Sequence, residues 1–471
     1  MSGTPSRGRE RVPGMCIKCK VAKPSVTIRQ SLYCKECFIR TSIVKFRTGQ
    51  SRLRKRASRS QTKALVAFSG GGASSAMLKL VADHQSSARK GVDATPAYTG
   101  IVVGHVDESC LFPEAPEEEI RAIAAESGLL YRTLALEDIF TLADGRRTAL
   151  IEIVQASIAP GAEKDQFCAR LVRPSNKVSN KEYLTALFAS LGSATDREDM
   201  LDIIKAFLVR QLAREEGCEV VLMGDSGTRI ATKTVALTSR GRGFSLPLEV
   251  AAESRWFGDL SVWRPMRDFS AKEIAFFNHW TGQKSAAVPT FTTGGPRRAS
   301  IDRLTEAFIA ELDQGFSSTV PTVCRTMQKL EPRDEALAAP PCLICGMPAE
   351  GNAQAWRSRL TISSSGAGGV SASARSSPSA TLPESSCLAS GDTSSLLEIA
   401  RTVCYACQSL LHHASPGIVL PEFCAKRLQA VDASDNSTHE TAEAQREALR
   451  RQIDEFLLDD DDGTCDSSAG C

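Results

Sequence analysis

The chain has 471 residues, 42% of them hydrophobic, and a net formal charge of +2. A prior of about 100 to 200 residues per domain makes that enough for two to four domains with a substantial core. No apolar run approaches the ~20 residues that a membrane-spanning helix needs, and the first residues are polar and basic without a signal-peptide core, so a soluble intracellular protein is expected.

The sixteen cysteines are then expected to be reduced, and pairs of them to act as metal ligands in preference to disulfides. The charge is unevenly spread. Residues 1–63 carry seventeen Lys and Arg against Glu10 and Glu36, a balance of +15, which leaves −13 on the remainder. A basic end on a mildly acidic body points to a polyanionic partner.

Residues 1–14, rich in Gly, Pro, Ser and Arg, read as a disordered lead. Cys16-Ile-Lys-Cys19 follows, with Cys34-Lys-Glu-Cys37 fourteen residues later. Two CxxC pairs at this separation place four thiolates at the tips of two turns, the arrangement that closes a tetrahedral zinc site, so residues 15–44 read as a zinc ribbon. A ribbon this small buries too little apolar area to fold alone, and the metal is expected to supply its stability. From 45 to 63 come eight basic residues and no acidic one: Lys45, Arg47, Arg52, Arg54, Lys55, Arg56, Arg59 and Lys63. This density suits phosphate contacts; a solvated helix or linker is the alternative, and the position between a zinc ribbon and an anion loop favours nucleic acid, though with no base readout.

Ala64-Leu65-Val66-Ala67-Phe68 is a short apolar run suited to a strand buried on both faces. It is followed by Ser69-Gly70-Gly71-Gly72-Ala73-Ser74-Ser75 and then by apolar residues at helical spacing. Strand, glycine loop and helix start in this order favour an anion: the glycines permit a tight turn and close approach, and the helix start offers N–H groups and a favourable dipole. The loop lacks the Gly-Lys-Ser/Thr of a Walker A sequence. It resembles the SGGxDS loop of the PP-loop ATP pyrophosphatases, matching at Ser69, Gly70, Gly71 and Ser74, with Ala73 where that superfamily has Asp. The resemblance implies that Ser69, Gly70, Gly71, Gly72 and Ser74 are the nucleotide-binding positions.

Further along, 98–107 reads as a second strand, 116–127 as a helix with an acidic first turn and 129–136 as a third strand. The pattern over 199–216 is a long amphipathic helix stopped by Gly217. Another strand over 219–223 ends at Gly224-Asp225-Ser226-Gly227. Alternation of this kind predicts a doubly wound parallel sheet, so residues 64–335 read as an α/β domain with the Ser69 and Gly224 loops on one rim. In active PP-loop tRNA thiolation enzymes the segment resembling the Gly224 loop is GHNxDD-like and acidic, whereas this chain has Thr228-Arg229 there. Trp263-Arg264-Pro265-Met266-Arg267-Asp268 and the capping-box pair Ser270 and Glu273 resemble the RPLR…KEI element of those enzymes. A further amphipathic helix is expected over 300–314, and 319–326 closes the domain.

Cys342-Leu-Ile-Cys345 and Cys404-Tyr-Ala-Cys407 form another double pair, separated by 58 residues. Closure cost grows only logarithmically with loop length, so a second zinc module over 336–430 is feasible across a Ser-rich, disordered insertion at 361–395. His412, His413 and Cys424 are read as bystanders. A last helix over 445–458 and an acidic tail at 459–462 complete residues 431–471. Cys110, Cys168, Cys218 and Cys324 are the isolated cysteines of the central domain. Cys168, near Arg170 and Arg173, is a weak candidate for a lowered-pKa sulfur handler, with a buried structural thiol the favoured reading.

Taken together, the two double CxxC pairs, the basic segment, the degenerate SGGxxS loop and the RPMRD…KEI element resemble the cytoplasmic tRNA 2-thiolation protein 2 family. That resemblance implies a PP-loop fold and a place in 2-thiolation of the wobble uridine of tRNAs for Lys, Glu and Gln. It implies a heterodimer with a related catalytic thiolase, sulfur from a thiocarboxylated ubiquitin-like carrier, two structural zinc sites, and tRNA as partner. Nucleotide binding by this subunit stays open, because Ala73 and Thr228 lack the carboxylates. Two other classes remain in play: an autonomous ATP-dependent tRNA-modifying enzyme and a zinc-ribbon protein-binding scaffold.

Overall fold

The computed structural model describes residues 14–57, 62–89, 98–140, 178–351, 353 and 403–414. The expectations for the lead, Arg59, Cys168 with Arg170 and Arg173, the Ser-rich insertion, Cys424, and the last helix and tail lie outside these residues. So do those for the side chains of Lys55, Arg56 and His412.

A short hairpin, β1 (Val26–Ile28) and β2 (Ser31–Tyr33), leads into α1 (Lys35–Ala57). Its tight turn holds Arg29 and Gln30 at positive φ, 46° and 65°. The central sheet has six strands in the order β5-β4-β3-β6-β8-β7. They are β3 (Lys63–Ala67), β4 (Gly100–Asp107), β5 (Leu130–Ala135), β6 (Val220–Leu222), β7 (Glu253–Phe257) and β8 (Leu260–Trp263). All neighbours are parallel except β7 and β8.

The apolar run of β3 makes it the central strand. Ala64 and Val66 face one layer, with Met77 and Leu80 of α2 (Gly72–Arg89), while Leu65 faces the other with Leu212 and Val221. A strand buried on both faces has no room for alternating polar residues, which is why this stretch is continuously apolar. β3 pairs with β4 through Val66 and Val103 and with β6 through Val66 and Leu222. After β3 the chain builds outward through β4 and β5 and then returns to the opposite side of β3 at β6. Between β3 and β6, therefore, the order reverses, and such a switch point opens a crevice at the carboxyl ends of the strands.

The helix α3 (Glu117–Glu126) and strand β5 fall inside the expected spans. Two helices, α4 (Asn180–Ser190) and α5 (Ala194–Glu215), cover the second face. α5 begins five residues before the expected start because Ser193 caps it, its hydroxyl accepting from the Asp196 amide. Then come α6 (Gly227–Ser239), α7 (Leu246–Val250) and α8 (Ala271–Thr281). The Ser270 and Glu273 capping box on α8 forms as expected, with Glu273 accepting from the Ser270 amide at 2.8 Å. α9 (Ile301–Gly315), α10 (Thr319–Met327), α11 (Asp334–Ala338) and α12 (Tyr405–His413) follow.

Neither cysteine module stands apart from the sheet. Phe38 of α1 packs edge-on against Trp280 of α8 at 5.2 Å. At the other end Leu343, Ile344, Leu410 and Leu411 share a core with Leu184, Leu187 and Met200. Gly241 lies under Tyr405 so closely that a Cβ would come within 2.4 Å of its ring.

Candidate functional site

The Ser69 to Ser75 loop turns sharply at Gly70, whose φ is +77° and whose missing Cβ would sit 2.6 Å from Ile120 Cγ1. Ser75 Oγ donates to Gly70 O at 3.0 Å and Ser74 Oγ to Gly71 O at 2.9 Å, so the hydroxyls hold the turn that starts α2. Asn278 of α8 donates to Gly72 O at 2.8 Å and ties the loop to the KEI helix. Gly70→Ala meets both the wrong φ and the wall of Ile120, and is expected to lower stability by about 1–3 kcal/mol; comparison of thermal midpoints checks it.

The second loop lies against the first, as the sheet order requires. A Cβ on Gly224 would stand 3.1 Å from the Ser74 backbone. Together they open on a cleft of about 740 Å³ that runs from the glycine loop to Cys345 and Met347 of the C-terminal module. The cleft is densely charged, and its cations and carboxylates are matched. Asp225, buried, is held by Lys233 at 3.1 Å and Arg264 at 3.1 Å. Asp199 takes Arg240 at 2.8 Å and Arg242 at 2.6 Å. Arg229 pairs with Glu306 at 2.7 Å, Lys205 with Glu108, and Arg240 also with Asp302. Burial alone would push the Asp225 carboxyl up, but Lys233 and then Arg264 outweigh it and hold the group well below the usual carboxylate range.

The loop therefore suits a phosphate, with glycine backbone and a helix start. The other half of a magnesium nucleotide site is different: Ala73 has no carboxylate, Thr228 Oγ1 accepts from the Ala271 amide at 3.0 Å, and Asp225 is engaged by two cations. None of this charge pairing was singled out in the sequence, because Asp199 and Arg242 or Asp225 and Arg264 lie about forty residues apart.

The four sulfurs of Cys16, Cys19, Cys34 and Cys37 lie within 4.8 Å of one another, as do those of Cys342, Cys345, Cys404 and Cys407. Tetrahedral Zn–S bonds of about 2.3 Å put sulfurs about 3.8 Å apart. Cys19 and Cys34 are 3.9 Å apart and Cys345 and Cys404 3.7 Å, so both donor sets fit such an ion. Their settings differ: the second set is wholly buried, whereas Cys19 is exposed. Arg242 Nη2 lies 3.8 Å from Cys407 Sγ and bridges the second set to Asp199, a cation placed where a four-thiolate site carries negative charge. His413 lies outside that set, its Nδ1 3.8 Å from Asp196.

Of the basic segment, Lys45 pairs with Glu273 at 2.7 Å and stands 4.4 Å over the Phe269 ring, and Lys63 donates to the Glu216 carbonyl. Arg52 is exposed and Arg54 half-buried, while Arg47 lies half-buried on the same helix. Of the isolated thiols, Cys218 is pushed up to about 11, chiefly by burial, and burial also raises Cys324 and Cys110. These three are held as thiols, the less nucleophilic form.

A doubly wound sheet with a glycine loop at its switch point, flanked by four-cysteine modules, defines an α/β protein of the PP-loop type. The family model described as "Cytoplasmic tRNA 2-thiolation protein 2" matches residues 300–409. A relative of that name from Bos taurus is 32% identical over 363 residues, covering 70% of this chain and 71% of its own. Another, "Cytoplasmic tRNA 2-thiolation protein 2-A" from Xenopus laevis, is 27% identical over 508 residues and covers 95% of both. Among solved structures, the U34-tRNA thiolase NcsA from Methanococcus maripaludis, with its [4Fe-4S] cluster, aligns with a TM-score of 0.44 at 16% identity, over 68% of this chain and 90% of its own. The chain belongs to the cytoplasmic tRNA 2-thiolation protein 2 family.

Proposed function

We propose that this chain acts in cytoplasmic 2-thiolation of tRNA as the subunit that binds and positions the RNA. A related partner subunit adenylates the wobble uridine of tRNAs for Lys, Glu and Gln, and sulfur comes from a thiocarboxylated ubiquitin-like carrier. Family membership supports the pathway. The observation that carries the division of labour is the charge pairing in the cleft: Asp225 is committed to Lys233 and Arg264, and Ala73 offers no carboxylate. A magnesium nucleotide needs oxygen ligands from carboxylates that are free to turn toward the ion.

In this reading Ser69, Gly70, Gly71, Gly72 and Ser74 are a phosphate cradle without the acidic half of a catalytic site. Both cysteine sets hold structural zinc. Phosphate contacts come from the basic segment, led by Arg52, Arg54, Lys55, Arg56 and Arg59. Lys45 and Lys63 tie the segment to the body through Glu273 and Glu216, and Arg47 adds its charge on the same helix as Lys45.

Cells lacking the chain are expected to lose 2-thiouridine from these tRNAs, measured by mass spectrometry of digested tRNA. Cys168→Ala is expected to restore it, because no sulfur passes through this subunit. Normal 2-thiouridine without the chain would sink the pathway assignment; failure of a folded Cys168→Ala variant to restore it would sink the positioning role.

A further inference from the structure

On the opposite side of α6 from the first cleft is a second one, of about 490 Å³, that no sequence pattern announces. Four arginines from four separate elements line it: Arg29 from the hairpin turn, Arg52 from α1, Arg267 from the RPMRD segment and Arg325 from α10. Asp268 is the one carboxylate among its lining residues. This balance is unlike that of the first cleft, where cations and carboxylates are matched.

The arginines are placed by the fold. The positive φ of Arg29 and Gln30 points the turn inward, and Arg29 Nη2 donates to Asp268 O at 2.9 Å, latching the N-terminal module onto the core. Arg29 also lies 3.7 Å from Glu273, but that carboxylate is shared with Lys45 at 2.7 Å, so the region stays cationic. Arg267 is 7% exposed with its guanidinium nitrogens buried, so it adds positive charge from behind the cleft wall. Arg325 is exposed and, among the described residues, held only by long contacts to its own helix at 3.3 Å and 3.4 Å. Ser317 and Ser318 line the cleft where α10 begins, and Ser318 makes no side-chain capping bond, so the positive end of that helix adds to the field.

We infer that this cleft seats a phosphate of an RNA backbone. Guanidinium groups supply forked donors that match phosphate oxygens, and several of them in a shaped cavity fix its position. The argument for RNA over a small anion is continuity. Arg52 belongs to both the cleft and the basic outer turn of α1, which continues through Arg54 toward Lys55 and Arg56. A chain with regularly spaced phosphates engages both at once. The cleft would then hold tRNA across the joint between the N-terminal module and the sheet, at a place distinct from the glycine loop. This rests on the reading that the chain binds tRNA.

The test is tRNA binding by the full chain over a series of salt concentrations, comparing wild type with Arg325→Glu, Arg52→Glu and, outside the cleft, Arg54→Glu. Loss of one phosphate contact reduces the slope of log affinity against log salt by about 0.7 to 0.9. Arg325→Glu is expected to weaken binding about tenfold near 0.1 M salt with such a change in slope, and Arg325→Lys to retain most of the affinity. If wild type binds tRNA and Arg54→Glu weakens it while Arg325→Glu and Arg52→Glu leave affinity and slope unchanged, the cleft assignment fails and the tRNA reading stands. If wild type binds no tRNA, both fail. Stabilisation by pyrophosphate that Arg325→Glu abolishes, with tRNA affinity unchanged, would assign the cleft to a free anion and overturn the RNA seat.

Discussion

Cys407→Ser is expected to lower the bound metal from two ions per chain to one and to lower the thermal midpoint markedly. The reason is where the second four-cysteine set sits. Its sulfurs are all buried, and the residues between and beside them, Leu343, Ile344, Leu410 and Leu411, belong to the same core as Leu184, Leu187 and Met200. Removing the ion frees a loop-closing tie as well as its ligands, and structural zinc contributes on the order of 10 kcal/mol in small modules, comparable to the typical net stability of a domain.

Arg242 compounds the effect, since it faces both Cys407 and Asp199; without the metal thiolates part of the negative charge that compensates its burial is lost. Metal analysis with calorimetry reads both outcomes. The N-terminal set should behave differently under a chelator. Cys19 is exposed, so that ion should leave first, and the C-terminal ion only as the core opens. Simultaneous release of both ions, or a folded Cys407→Ser chain with an unshifted midpoint, would show that the second set does not support the core.

Much of this was legible in local sequence because the responsible forces are local. A strand buried on both faces must be continuously apolar, so Ala64 to Ala67 announces the central strand; a glycine turn before a helix announces the loop; two CxxC pairs announce a metal set whatever lies between them. What stayed hidden depends on partners brought together by folding. Lys45 reads as a phosphate contact in a row of cations, yet its closest carboxylate is 228 residues away in Glu273. Asp225 stands in sequence as one residue of the Gly224 loop, and only the approach of Arg264 and Lys233 shows that its charge is matched. The apolar pattern of α5 begins only after its first turn, so periodicity alone starts the helix late, while its true start is set by Ser193. The four arginines of the second cleft have no shared spacing, so no periodicity exposes them.

Asp225→Ala is expected to destabilise the chain by about 3–5 kcal/mol, the penalty for leaving buried cations without their counter-ion. Asp225 stands where β6 ends and α6 begins, and its two oxygens join Lys233 of α6 to Arg264 of the RPMRD segment. The same pair fixes a pH dependence. The carboxyl is depressed below its unfolded value near 4, so its contribution is complete above about pH 4 and is lost as pH falls further toward the folded value. Wild type should therefore lose stability steeply below about pH 4, and Asp225→Asn should flatten that limb while lowering the plateau near neutrality.

The measurement also decides what the residue is for. A carboxylate that served a magnesium nucleotide would, on replacement by Asn, leave the unliganded midpoint unchanged and remove only the stabilisation gained with MgATP. A carboxylate that holds two loops in register would do the reverse, lowering the unliganded midpoint and leaving any nucleotide-dependent shift intact. Two cations at 3.1 Å, one from each side, make the second result the expected one.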